Sequence, residues 1–228
     1  SFFSWKNNFD IDSAEEYLVK KSINICEPES ATYPKLLSPL TDKPLALFFR
    51  GTLKAMPHML AVVGTRESSQ YGMTTVDTIL SPLARTPLGV VSGMALGIDG
   101  KAHNTAIENN LYTVAVLGSG VDNESLYPRA HTRIAEKILE SGGAIISEYP
   151  PGFKPTPYSF PARNRIIAGM SHATLVIEGA EDSGSLLTAK AALEYGRDVA
   201  AIPHPIGTRH GAGPNRLIRD GAALIRNS

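Results

Sequence analysis

Hydrophobic residues in this chain come in short, nearly continuous runs, separated by longer stretches in which apolar positions recur with helical spacing. Continuous runs of this length are typical of strands that are covered on both faces, because a half-exposed strand alternates apolar and polar residues. The runs that predict strands are Leu45–Arg50, Met59–Gly64, Leu88–Gly93, Tyr112–Gly118, Gly143–Glu148, Ala173–Gly179, Asp198–Pro203 and Ala222–Ile225.

Helical spacing is clearest in three stretches between those runs, Ile98–Asn109, His131–Ser141 and Leu186–Tyr195. Strands that alternate with helices at this spacing form βαβ units and a parallel sheet. Right-handed crossovers then place helices on both faces of that sheet. The pattern therefore predicts an α/β fold of the Rossmann-like type, with a doubly wound, mainly parallel sheet.

The beginning of the chain differs from the rest. It holds a short helical stretch at residues 13–21 and then a connector that ends in the sequence YPKLL. We therefore expect residues 1–40 to be an N-terminal appendage or linker and residues 41–228 to form the Rossmann-like domain. A length of 228 residues fits one large domain with a short appendage.

Composition narrows the class of protein. No apolar run reaches the roughly 18 residues that a membrane span needs, so we expect no membrane contact. The single cysteine, Cys26, excludes an internal disulfide and fits a reducing cytoplasm. The formal net charge is zero, which argues against a protein that coats nucleic acid with its whole surface. It leaves room for a local basic patch.

Ligands of a doubly wound sheet bind beyond the carboxyl ends of its strands, so the loops at those ends are the candidate site. The first such loop carries Gly64 and Arg66. Glycine lets the backbone turn without a steric clash, and a guanidinium at the mouth of the cleft suits a phosphate. The alternative is that Arg66 pairs with a local acid such as Glu67.

The second loop contains Ser92, Gly93 and Gly97 ahead of a predicted helix. Backbone N–H groups and the helix dipole favour an anion at such a place. The order S-G-x-x-x-G-x-D differs from the G-x-G-x-x-G dinucleotide fingerprint. We interpret Asp99 as a helix N-terminal residue rather than a catalytic acid, and His103 as a packing or capping residue rather than a metal ligand.

Turns of small residues follow two further strands. A nest of this kind at the start of a helix can hold a phosphate, although a simple serine cap would explain the first serine of the second turn. The residues concerned are Gly118, Ser119 and Gly120 in one turn, and Ser183, Gly184 and Ser185 in the other.

The segment from Tyr149 to Ile177 contains no acidic residue. It begins as a proline-rich, stiff loop and continues as a predicted helix. Basic residues interleaved with aromatic ones suit single-stranded nucleic acid, whose phosphates attract the charges and whose bases stack on the rings. The alternative, which we prefer for Phe160, is that the rings pack the helix on the sheet. The basic and polar residues of the segment are Lys154, Arg163, Asn164 and Arg165.

Six sequence motifs together resemble those of the DNA-processing protein A family, also called DprA or Smf. They are VGTR, SGMALGIDGKAH, SEYPPG, FPARNRIIAG, EGAEDSGSLLTAKAALEYGR and GPNRLIRDGA, and they occur in the family's order. The resemblance as a whole runs from about Tyr33 to Ile225. The resemblance implies an extended Rossmann-like core that binds single-stranded DNA and loads a RecA-type recombinase onto it in natural transformation. Members of the family also dimerise.

The resemblance also suggests individual contacts. The arginine of the family's VG-[ST]-R motif and a lysine after SEYP contact DNA, and these positions are Arg66 and Lys154 here. Arg163, Asn164 and Arg165 lie alongside. The sequence departs from the family in a longer loop after Gly120, a shorter PIGTRHGAGPN segment, and the lack of a winged-helix-like C-terminal part.

We therefore expect a cytoplasmic, homodimeric single-stranded DNA-binding protein that protects incoming DNA and loads the recombinase. We expect no catalytic residues, no cofactor and no metal. One alternative is a phosphoribohydrolase-like nucleotide enzyme, but the loop EGAEDSGSLLTA lacks the double glycine and trailing glutamate of that group, and no carboxylate pair is apparent. The other alternative is a nucleotide-binding sensor.

Overall fold

The computed structural model describes residues 10–228, so the first nine residues of the predicted appendage lie outside it. Its strands are β1 (Asn24–Cys26), β2 (Leu47–Gly51), β3 (His58–Val63), β4 (Leu88–Ser92), β5 (Tyr112–Val116), β6 (Ala144–Ser147), β7 (Ala173–Val176), β8 (Asp198–Ala201) and β9 (Ala223–Leu224). Its helices are α1 (Ile11–Lys20), α2 (Gln70–Leu80), α3 (Ile98–Glu108), α4 (Thr132–Glu140), α5 (Ser159–Gly169), α6 (Gly184–Glu194) and α7 (Ala212–Arg219). Each predicted run overlaps one of the strands.

The strands form one sheet in the order β1-β2-β6-β5-β4-β3-β7-β8-β9. Strands β3 to β9 pair in parallel, whereas β1 and β2 add antiparallel pairs at one edge. From β3 the chain moves outward through β4 and β5 to β6, and it then returns to place β7 on the other side of β3. The predicted doubly wound, mainly parallel sheet is confirmed, and its topological switch point lies between β3 and β7.

Alternate residues of the central strands point to opposite faces, as the pleat requires. Val62 belongs to a buried cluster with residues of α2 and α3, and its neighbour Val63 belongs to a different cluster with residues of α5 and α6. Helix α4 closes the first face over β5 and β6 through a third cluster that includes Ile138. Both faces of the sheet are therefore covered, which explains why its strands read as continuous apolar runs.

Residues 24–40 pack on the sheet. Strand β1 pairs with β2, and Tyr33 and Leu37 are buried in the cluster that also contains α5. The Tyr33 hydroxyl donates to Pro44 O at 2.8 Å, and Arg197 Nη2 donates to Leu36 O at 2.9 Å. The domain boundary at residue 40 stays a prediction, and the structure adds that the chain just before it contacts the core. Among residues 10–228, no helix is both long and apolar enough to cross a membrane.

Candidate functional site

A cleft of about 740 Å³ opens at the carboxyl ends of β3, β4 and β7, which is the switch point of the sheet. Its walls come from the loops after those strands and from the segment that leads into α5. Lining residues that the sequence singled out are Gly64, Arg66, Asp99, Phe160, Arg163, Asn164, Ser183, Gly184 and Ser185. The structure therefore brings about half of the predicted site residues together around one cavity.

Arg66 is exposed on one wall of the cleft. Its guanidinium carbon lies 5.2 Å from the centroid of the Phe160 ring, and that ring lies 5.7 Å from the ring of Tyr127. A guanidinium over an aromatic face is held there by the ring quadrupole while its edge stays free for hydrogen bonds. Arg66 thus has a preferred position with its donors available to a ligand. Phe160 supports this cation in addition to packing.

Hydrogen bonds to one residue, Glu178, anchor both ends of the loop that carries Arg66. The N–H of Thr65 donates to the Glu178 main-chain oxygen at 2.8 Å. The N–H of Ser69 donates to Glu178 Oε2 at 2.9 Å, and the Ser69 hydroxyl donates to Oε1 at 2.5 Å. Glu178 is 1% exposed, so these bonds are shielded from water. Sequence reasoning missed Glu178, because its partners lie in a different element of the chain.

Two glycines allow the same loop to pack closely. A Cβ on Gly72 would lie 2.2 Å from Glu178 Oε2, and a Cβ on Gly97 would lie 2.4 Å from Thr65 O. Gly97 also has a φ of +75°, a conformation that side-chain-bearing residues rarely adopt. Glycine at these positions is therefore explained by packing around the Arg66 loop.

Arg163 forms part of the cleft floor and is only 5% exposed. Its Nη1 donates to the carbonyl oxygens of Gly93 and Val116, and its Nε donates to Asn164 Oδ1 at 3.1 Å. Burial lowers the pKa of Arg163 to about 10, while the nearby carboxylate of Asp99 opposes that shift. The side chain stays charged at neutral pH and joins α5 to the ends of β4 and β5.

Asp99 lies beneath the cleft and accepts the N–H groups of Gly93 at 3.1 Å and Ala95 at 3.3 Å. Burial raises its pKa, and the charge of Arg163 acts in the opposite direction. This carboxylate therefore organises the loop before α3, as expected for a residue in the first turn of a helix. Within residues 10–228 there is no group of three or more His, Cys, Asp or Glu side chains that could hold a metal ion.

His103 is packed in the interior, with Nδ1 2.8 Å from the Thr113 hydroxyl oxygen. Since the Thr113 hydroxyl donates to Val90 O, the His103 Nδ1 carries the proton of this contact. Burial lowers the pKa of His103 to about 3, so the ring is neutral in the folded protein.

Several predicted ligand contacts are buried and already have partners inside the protein. The Gly93 N–H donates to Asp99, the Gly120 N–H donates to Phe153 O at 2.9 Å, and the Ser92 hydroxyl donates to Val62 O at 2.7 Å. A Cβ on Gly118 would lie 3.0 Å from Ser159 O. The structure corrects the expectation that this set faces a ligand, and we leave the set out of the proposed interface: Ser92, Gly93, Gly118, Ser119 and Gly120.

Arg165 lies outside the cleft lining, although it follows Arg163 and Asn164 in the chain. Its Nη2 is 2.5 Å from Glu148 Oε2, and its Nε is 3.9 Å from Asp42 Oδ2. The charge of Arg165 is therefore compensated within the protein, and we correct its assignment from a ligand contact to a structural ion pair. Asn164 remains at the cleft, where its Nδ2 donates to Gly184 O at 3.2 Å.

The turn at the start of α6 forms one wall of the cleft and contains Ser183, Gly184 and Ser185. Ser183 caps α6, and its hydroxyl oxygen accepts the N–H of Ser185 at 3.4 Å. Gly184 is exposed, and a Cβ added to it would meet no atom within 4 Å, so this helix N-terminus is open to the cleft. Asp182 lines the same wall, which limits the positive potential there. Lys154 is exposed on the adjoining loop, next to Pro155 of the cleft lining.

The chain matches one protein family over most of its length. The family model described as DNA recombination-mediator protein A matches residues 24–228. The Protein Smf of Escherichia coli (strain K12) is 44% identical over 216 residues, which cover 94% of this chain and 57% of that relative. This chain thus spans less than two thirds of that relative's length.

Two solved structures are similar over most of the chain. The DNA processing protein A of Streptococcus pneumoniae superposes with a TM-score of 0.88 at 36% identity, covering 99% of this chain and 78% of that one. The DNA processing protein A of Helicobacter pylori, described for its single-stranded DNA binding mode, superposes with a TM-score of 0.78 at 30% identity. That match covers 90% of this chain and 91% of the other.

Proposed function

This chain belongs to the DNA recombination-mediator protein A family, and we propose that it binds single-stranded DNA in the cleft at the switch point of its sheet. The observation that carries the proposal is Arg66 held over the Phe160 ring at the mouth of that cleft. An exposed cation beside aromatic rings suits a nucleic-acid strand, whose phosphates alternate with stackable bases. The described binding mode of the Helicobacter pylori relative supports the proposal.

The cleft offers different chemistry on its walls. Arg66 and the open N-terminus of α6 at Gly184 provide donors for phosphate oxygens. Tyr127 lines the cleft and is 46% exposed, and Tyr158, beside the lining residue Pro157, is 86% exposed, so both rings are available for stacking. Stacking of one base on an aromatic ring contributes about 1–3 kcal/mol and tolerates any base. We therefore expect binding with little preference for sequence.

Electrostatic attraction at this site is local. The charged residues of the lining include acids as well as bases, namely Arg66, Arg163, Arg209, Glu67, Asp99 and Asp182. Arg163 is buried, donates to two main-chain oxygens and feels the charge of Asp99, so it adds little free positive charge. A strand in the cleft therefore meets few uncompensated cations, chiefly Arg66, the exposed Arg209 and the neighbouring Lys154. Affinity should depend on aromatic stacking as much as on phosphate contacts.

The family supports a finer proposal as well. We propose that the chain works in the cytoplasm as a homodimer, protects incoming single-stranded DNA, and passes it to a RecA-type recombinase. We also propose that binding is not followed by chemistry on the DNA. In support, the acid nearest the cleft floor, Asp99, is engaged by two backbone N–H groups rather than directed at a ligand.

The test is fluorescence anisotropy with labelled oligo-dT and with a duplex of the same length. We expect tighter binding of the single strand, and a loss of roughly tenfold or more in affinity for the variant Arg66→Ala/Lys154→Ala. The matched control is Arg133→Ala/Lys137→Ala, which removes the same charges from exposed positions of α4. Equal affinity of the wild-type protein and the Arg66/Lys154 variant would show that the strand binds elsewhere.

A further inference from the structure

A second cavity, of about 260 Å³, lies at the opposite end of the strands from the cleft. Met59 at the start of β3 and Tyr112 at the start of β5 contribute to it, together with Met170 just after α5. Its outer walls are two segments without regular secondary structure, residues 31–36 and 53–56. The DNA-binding proposal gives this cavity no role, because it is separated from the cleft by the length of the sheet.

The inner surface of the cavity is apolar. Four of its lining residues are less than 10% exposed, namely Met59 (7%), Tyr112 (8%), Val114 (1%) and Met170 (4%). An engineered cavity of about 150 Å³ lined by apolar side chains holds benzene in another protein. A volume of 260 Å³ therefore admits an aromatic ring with a short side chain. Methionine side chains are flexible and polarisable, and they adapt well to the shape of such a ligand.

The rim of the cavity is basic. Among its lining residues are the exposed Lys35 and Lys54, and none is Asp or Glu. Over residues 10–228, neither lysine is within ion-pair distance of a carboxylate. Lys54 Nζ lies 5.3 Å from the centroid of the Tyr112 ring, so this cation sits directly above the apolar surface.

His172 is an exposed residue of the same rim. Its Nδ1 accepts the N–H of Met59 at 3.0 Å, so the proton of the neutral ring is on Nε2. The cavity thus combines an apolar interior with a rim that carries one histidine and two lysines without an ion pair among residues 10–228. We propose that it binds a small apolar carboxylate, with an aromatic or short aliphatic body inside and the carboxylate at Lys35 and Lys54.

The chain carries internal reporters for a test. It has five methionines, of which Met56, Met59 and Met170 line the cavity while Met73 and Met94 do not. We would label the methionine methyl groups with ¹³C and titrate the protein with 4-phenylbutyrate, and in parallel with the neutral 4-phenylbutanol. The proposal predicts saturable shifts of the three cavity methyl signals, weaker binding of the alcohol, and little change at the other two.

Two variants test the two parts of the site separately. Lys35→Gln/Lys54→Gln should weaken phenylbutyrate binding about three- to tenfold and leave phenylbutanol binding unchanged, whereas the control Lys137→Gln should alter neither. Ala55→Trp places a large ring at an exposed wall position and should abolish the cavity shifts without loss of folding. The proposal is overturned if millimolar phenylbutyrate shifts no cavity methyl, or if the alcohol binds equally well in every variant.

Discussion

Replacement of Glu178 by glutamine changes one atom of a buried side chain and tests how the Arg66 loop is held. The Glu178 carboxylate accepts hydrogen bonds from both the N–H and the hydroxyl of Ser69. The main-chain oxygen of Glu178 accepts the N–H of Thr65. A glutamine amide can accept at only one of its two terminal atoms, so one Ser69 donor loses its partner. Hydrogen bonds to charged groups contribute about 1.5–3 kcal/mol, and we expect the free energy of unfolding to fall by that amount.

The effect on DNA binding should act through Arg66 alone. The main-chain bond to Thr65 remains in Glu178→Gln, but looser anchoring at Ser69 frees Arg66 to leave the Phe160 ring. The oligo-dT affinity of Glu178→Gln should therefore fall, at most to that of Arg66→Ala. In an Arg66→Ala background, Glu178→Gln should then change the dissociation constant no further, whereas independent effects would add. Urea unfolding and anisotropy titrations measure the two quantities.

A different outcome would refute this reasoning. If Glu178→Gln is destabilised by the expected amount and yet binds oligo-dT as the wild-type protein does, the Glu178 contacts do not position Arg66. Equal losses of affinity with and without Arg66 would mean that Glu178 acts on DNA by another route.

Three further results are expected. A plot of log affinity against log salt should have a slope of about −2 to −3 for oligo-dT, since few cations are free, and Arg66→Ala should reduce it by about 0.7; a slope near −7 would mean a broader basic surface. Gly72→Ala should lower the free energy of unfolding by about 1–3 kcal/mol in urea titrations, because the new Cβ falls 2.2 Å from Glu178 Oε2; an unchanged midpoint would contradict that geometry. The pKa of His103 is about 3 in the folded protein and about 6.5 in the unfolded chain, so between these pH values only the unfolded chain binds the proton. The free energy of unfolding should therefore fall as the pH drops through this range, by up to about 1.4 kcal/mol per pH unit. The variant His103→Gln should make that pH dependence shallower.

The sheet was predictable because strands buried on both faces have continuous apolar sequences. Continuous apolar runs are typical of strands that helices cover on both sides, so Met59–Gly64 and Ala173–Gly179 identified β3 and β7. The strand order that places the switch point between them is seen only in the structure. Strand β1 gave no such signal, since it has three residues and two of them are exposed. It is a strand only because β2 lies beside it, and that pairing is not visible along the chain.

The candidate site was predictable in place but not in its individual contacts. Glycine turns at strand ends pointed to the edge of the sheet where the cleft lies, yet Gly93 and Gly72 are glycines because Arg163 and Glu178 approach them closely. Arg66 and Arg165 look equivalent in sequence, and only the fold shows that Glu148 neutralises Arg165 while Arg66 stays exposed. Such differences depend on partners from distant elements, so local sequence patterns do not reveal them.

The central claim is that single-stranded DNA lies against the aromatic and cationic wall of the cleft. Photocrosslinking of the protein to an oligonucleotide containing 5-iododeoxyuridine, followed by mass spectrometry of the digested complex, tests that claim most directly. We expect the crosslinks to map to Tyr127 or Phe160 in the cleft, or to Tyr158 beside it, and to be lost with Arg66→Ala/Lys154→Ala. Crosslinks confined to residues outside the cleft, unaffected by that variant, would contradict the account.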